Sequence, residues 1–155
     1  MLQVNYIHVL EVTRDNLCIV VGLPELTRDF CELYKGETPT LYYDTTFSMG
    51  DFYVSCLLYR HTVFEGSPVI PLLMLVHERR TTESHQLLFS WFVRLTAMKS
   101  VTCVVDREKS ISNAISAVMP EASIVYCWNH LLGDVRVCLI SETLIFNRPT
   151  SWNYL

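Results

Sequence analysis

Apolar and polar residues fall in short blocks along this chain, and the period within each block predicts its structure. Residues 4 to 12 and 17 to 21 are short strand-like runs rich in Val, Leu and Ile, and Leu26 to Leu33 fits a helical turn. The polar stretch Tyr34-Lys-Gly-Glu-Thr-Pro-Thr40 then breaks the pattern. Beyond it, Leu41 to Phe47 is aromatic and β-branched, Ser48-Met-Gly-Asp51 supplies turn formers, and Phe52 to Val63 returns to strand composition. Together they predict a β-hairpin. After Glu65-Gly-Ser-Pro68, the run Val69 to His77 is apolar at nearly every position, as suits a strand buried on both faces.

The period then lengthens. Leu87, Leu88, Trp91, Phe92 and Leu95 share one helical face, preceded by Thr81 and Thr82 as capping residues and by Glu83 in the first turn. Val101 to Val105 is a β-branched strand ending at Asp106, and Ile111, Ala114, Ile115 and Val118 recur at helical spacing as far as Pro120. Ser123 to Cys127 reads as another strand and Trp128 to about Arg136 as the start of a helix. The order predicts an α/β fold: a five-stranded mixed sheet, three antiparallel strands and then parallel ones, flanked by helices. Right-handed crossovers make the later strands parallel. Three segments result: a flanking piece over residues 1–39, the patterned domain over 40–136, and an apolar, unpatterned tail over 137–155.

Composition narrows the function classes. With 155 residues, half of them hydrophobic, the chain can build one core and is short for two. A charged fraction of 18% leaves many surfaces to pack internally or against missing domains or another subunit. The net charge of -4 argues against gripping nucleic acid by bulk electrostatics, so any DNA contact is local. Six scattered cysteines read as reduced thiols rather than a secreted disulfide framework. The N-terminus lacks the features of a signal peptide, which favours a nuclear or cytoplasmic, non-secreted protein. The longest apolar run is far short of the roughly 20 residues that span a bilayer, so no membrane role is expected.

Two acids and one Cys-His pair carry the candidate chemistry. Asp44 interrupts an aromatic strand, where a carboxylate opposes strand propensity and is costly if buried unpaired; an exposed face or a strand that ends early is the alternative to a metal ligand. Asp106, between a strand and a helix, is either a ligand or a helix N-cap. Cys127 and His130 have the types and spacing of half a zinc site, or of a pair that orients nearby metal ligands; a buried thiol and a helix-start imidazole is the structural alternative. Glu78, Glu83 and Glu108 lie near strand ends or helix starts, where the helix dipole accounts for them. Trp91, Phe92 and Trp128 are expected in the core rather than as a base-stacking platform.

Three of these motifs, in order, resemble those of one family. Tyr43-Asp-Thr-Thr-Phe47, Val105-Asp-Arg-Glu-Lys109 and Ala122-Ser-Ile-Val-Tyr-Cys-Trp-Asn-His130 are similar to the first-strand, second-acid and Cys-His motifs of Mutator-like (MULE) DNA transposases. The resemblance spans roughly residues 40 to 136 and implies a ribonuclease H-like fold with DDE-type chemistry. Asp44 and Asp106 would be its first two catalytic carboxylates and would hold Mg2+ or Mn2+ in a two-metal site, with DNA as substrate. The family's third carboxylate follows a long helical insertion after the Cys-His motif. Here 25 residues follow His130 (155 minus 130), and Glu142 among them matches nothing in the family. Nor does the chain carry the spacing of the zinc domains that flank such transposases. The resemblance therefore implies a truncated, inactive catalytic domain. The alternatives are a domesticated DNA- or protein-binding module, like the plant far-red response regulators, and a small metal-dependent nuclease that takes an extra acid from the tail.

Overall fold

The structure, a computed structural model, describes residues 6–12, 16–130 and 132, with the backbone alone for 46–49. The predicted hairpin is β3 (Thr40–Met49) and β4 (Phe52–Arg60), followed by β5 (Val69–His77). Between the hairpin strands, Gly50 takes a φ of +63°, the left-handed conformation that a two-residue hairpin turn with glycine first requires. Helix α2 (Thr82–Thr96), β6 (Thr102–Val105), α3 (Lys109–Val118) and β7 (Ser123–Tyr126) complete the alternating half. Residues 128–130 and 132 are helical, and the rest of that expected helix lies outside the described residues, as do Glu142 and the tail.

Among the described residues the sheet has seven strands, not five. Its order is β1-β2-β5-β4-β3-β6-β7, with β1 (Ile7–Val12) and β2 (Leu17–Gly22) added beyond β5. Within it the run β5-β4-β3 is antiparallel, and β6 and β7 follow β3 in parallel. The two added strands come from the first 39 residues and join because β5 offers an unpaired edge to which β2 pairs antiparallel from Cys18↔His77 to Gly22↔Leu73. Glu78 secures that edge by accepting a hydrogen bond from Leu17 N at 3.1 Å.

Strand alternation divides the sheet into two unlike faces. One carries Leu41, Tyr43, Leu57, Tyr59, Leu73, Leu75, Cys103 and Val105, all buried beneath Phe30 of α1 (Pro24–Leu33), Leu88, Phe89 and Phe92 of α2, and Ile111 and Ile115 of α3. The other carries Tyr42, Asp44, Cys56, Leu58 and Val104, all only partly buried. Here β5 departs from expectation: Val69 and Met74 are exposed, because α1, α2 and α3 all pack on the first face. Trp128 departs too. It is 65% exposed, whereas Phe92 is fully buried and Trp91 lies half-buried between His8 and Arg94.

Helix α2 begins as expected, with Thr81 Oγ1 accepting from Ser84 N at 3.2 Å. It ends at Ala97, whose φ of 59° terminates the helix in the left-handed region.

Candidate functional site

The site is assembled from the middle of β3, where its pairing with β6 stops, and from the carboxyl ends of β6 and β7. Tyr43 and Val105 are register partners in the parallel pair β3–β6, so Asp44 and Asp106, each one residue further on, emerge side by side. Alternation sends Tyr43 into the core and Asp44 to the open face, which resolves the conflict between a carboxylate and an aromatic strand: Asp44 is 39% exposed. Opposite it, Cys56 has its thiol pushed up by burial and secondarily by the negative charge of Asp44.

Asp106 does not cap α3. That helix starts at Lys109 with Glu108 in the extended N-cap position, two residues beyond Asp106. Asp106 Oδ1 instead accepts from the N–H of Arg107 at 2.6 Å, closing the turn on itself and leaving the carboxylate partly exposed.

β7 supplies the third component. Its pairing ends where Cys127 N donates to Val105 O at 2.8 Å, and the helical turn that follows brings His130 over the acids. His130 Nε2 lies 3.8 Å from Asp44 Oδ1 and Nδ1 lies 4.0 Å from Asp106 Oδ1. Nδ1 is itself buried and finds no hydrogen-bond partner among the described residues. Three residues named from the sequence, Asp44, Asp106 and His130, thus converge. Cys127 joins them only as a wall of a cleft of about 230 Å³ that Tyr42, Leu58, Arg60 and Val104 also line. Among the described residues, no group of three or more His, Cys, Asp and Glu side chains is arranged to hold a metal ion, so the half zinc site finds no second half there.

Sequence reasoning missed the polar layer directly behind this site. Tyr43 Oη lies 2.7 Å from His85 Nδ1, and Ser55 Oγ lies 2.7 Å from Thr45 Oγ1 and 2.9 Å from His77 Nε2. Burial, reinforced by the neighbouring His77, lowers the His85 imidazole to about 4, and burial also lowers His77. Burial raises the Tyr43 phenol well above its ordinary range. Glu108, assigned no role from the sequence, binds Arg80 and Ser110 and faces His85 Nε2 at 3.9 Å. The one available signal was compositional: the block His77-Glu-Arg-Arg-Thr-Thr-Glu-Ser-His85 concentrates charge and imidazole at the end of an apolar strand.

A mixed α/β sheet with two acids and an imidazole gathered where its parallel strands β6 and β7 end defines a domain of the kind that binds ligands at strand ends. A family model narrows this class: the MULE transposase domain matches residues 40–134, from the first residue of β3 past His130. The match covers more than half of the chain, which therefore belongs to the MULE transposase domain family and is transposase-derived. No curated protein and no solved structure matches it.

Proposed function

We propose that this domain has a ribonuclease H-like fold and derives from an enzyme that acts on DNA phosphodiesters with DDE-type chemistry, of which it keeps the first two carboxylates. Asp44 and Asp106 would hold Mg2+ or Mn2+. The observation that carries the reading is the pairing of β3 with β6, which sets the two carboxylates side by side with the His130 imidazole facing both. The sheet order supports the fold assignment. Taken from β3, the strands run third, second, first, fourth, fifth, with the first three antiparallel, as in the ribonuclease H-like arrangement.

The donor set fits a hard divalent cation. Magnesium is commonly held by one or two carboxylates while keeping several waters and taking substrate phosphates as further ligands. When bound, such an ion activates an attacking oxygen and stabilises a leaving one. The chain's own contribution is to hold two partly exposed carboxylates on a rigid sheet and to place His130 where its ring orients them. With a net charge of -4, the DNA contact is local to the site, where Arg60 lines the adjoining cleft and Arg107 follows Asp106 in the chain. A DNA substrate fits a nuclear or cytoplasmic, non-secreted protein.

The test is a divalent-dependent nicking assay on supercoiled DNA, with Asp44→Ala and Asp106→Ala as controls. Wild-type nicking above both variants would show that the two acids suffice without the family's third; equal rates in all three would sink the catalytic reading. A second reading, a module that binds without cutting, is favoured by the absence of a third ligand beside the pair among the described residues. It predicts metal and DNA binding with no nicking by any of the three.

A further inference from the structure

Behind Asp44, on the covered face, the layer of polar side chains has a hydrogen-bonding direction. His77 Nδ1 donates to Arg79 O at 2.7 Å, which leaves Nε2 to accept from the Ser55 hydroxyl at 2.9 Å. Ser55 in turn accepts from Thr45 at 2.7 Å. Tyr43 Oη and His85 Nδ1 share a hydrogen bond at 2.7 Å; with the phenol as donor, the ring proton of a neutral His85 sits on Nε2. That nitrogen is buried, has no hydrogen-bond partner among the described residues, and faces Glu108 Oε1 at 3.9 Å. Tyr43, Ser55, His77 and His85 are all essentially sealed from solvent.

Burying this much polarity costs stability that an apolar core would not. What the layer connects gives it a use. Tyr43 is the residue before Asp44, and on a strand successive side chains emerge on opposite faces, so anchoring one fixes the direction of the other. Glu108 is two residues beyond Asp106; its grip by Arg80 and Ser110 fixes the turn that carries that acid. His85 lies between, and α2 places it there independently of either acid-bearing segment.

We propose that His85 is a positioning residue, hydrogen-bonded to Tyr43 and packed against Glu108 at ion-pair distance, so that the separation of Asp44 from Asp106 on the far face is set from behind. Only the metal readout of this inference rests on the divalent-ion reading. The coupling itself rests on the geometry of the polar layer.

The test compares the full chain with Tyr43→Phe, Glu108→Gln, His85→Phe and His85→Gln, using Mn2+ affinity and the NMR chemical shifts of the His130 ring. His130 faces both acids, so its resonances report any change in their separation. Tyr43→Phe deletes one hydroxyl and is expected to fold. It and Glu108→Gln should shift the His130 resonances and weaken Mn2+ binding by about 10-fold, the scale on which outer hydrogen-bond partners act. His85→Phe should act likewise, and His85→Gln, which keeps an acceptor and a donor, should recover most of the loss. Adding Tyr43→Phe to His85→Phe should add nothing further, because both lie on one path. Unchanged His130 resonances in Tyr43→Phe and Glu108→Gln, with lowered thermal stability, would overturn the proposal in favour of plain core structure. A wild type that binds no Mn2+ would sink the metal reading alone, and the His130 shifts would then decide this one.

Discussion

Asp44 on β3 and His130 on the turn after β7 face each other at 3.8 Å, and neither is sealed from solvent. Partly exposed charges contribute little to stability, typically about 0–1 kcal/mol. The acid pair can therefore be altered without unfolding the protein. Asp44→Asn and Asp106→Asn should each unfold within about 1 kcal/mol of wild type. Mn2+ at ten times its dissociation constant should stabilise wild type by about 1.4 kcal/mol and neither variant measurably. Denaturant titration with and without the ion checks this. Equal stabilisation of all three proteins would mean that the ion binds elsewhere.

The buried histidines predict acid sensitivity. His85 is lowered to about 4 in the folded chain by burial, against about 6.5 in an unfolded one, and His77 is lowered in the same direction. Between these values the unfolded state binds more protons, so stability rises with pH across the window and is flat above it. From pH 7.5 to 5, His85 alone should remove on the order of 2 kcal/mol. Urea midpoints at the two values test the slope. His85→Phe should flatten it, and a variant as acid-sensitive as wild type would refute the assignment to His85.

The sequence and the structure agree where local pattern is enough. The Thr81 cap, the turn at Gly50 and the acid at the end of β6 all depend on neighbours within a few residues, and each was legible. The runs before residue 34 were legible as strands. Their place in the sheet was not, because pairing with β5 depends on an edge some fifty residues away. Asp106 was legible as either ligand or cap, and only the three-residue turn before α3 decided against the cap. The polar layer was least legible. Alternation directs Tyr43 inward, but its partner His85 is 42 residues distant and is met only once α2 has packed. Trp128 misled for a related reason: an aromatic residue at a helix start reads as core, and whether anything covers it is a tertiary matter.

Core packing on the first face gives a sharper stability test than the site does. Phe92 is fully buried and meets Phe30 edge-on at 5.9 Å, whereas the neighbouring Trp91 is only partly buried. Phe92→Ala should cost about 3–5 kcal/mol through lost burial and the cavity left behind. Trp91→Ala, on the rim, should cost clearly less. Chemical denaturation of the two variants checks the order, and a reversal would mean that α2 is rotated about its axis.

The start of α2 separates fold from function. Thr81 Oγ1 accepts from Ser84 N, and Ser84 sits one residue before His85 on the first turn of the helix. Thr81→Ala should lose about 1 kcal/mol, the usual cost of removing a hydroxyl cap, and Thr81→Ser should keep most of it. The helix would still be held by Leu88, Phe89 and Phe92, all fully buried beyond its first turn. Because these residues hold His85 in place, Mn2+ affinity should be unchanged in Thr81→Ala although the protein unfolds at lower denaturant. Thermal and urea unfolding measure the first effect and metal titration the second. If affinity falls in step with stability, the placement of His85 depends on the helix end as a whole, and the Tyr43–His85–Glu108 link is not a separate element.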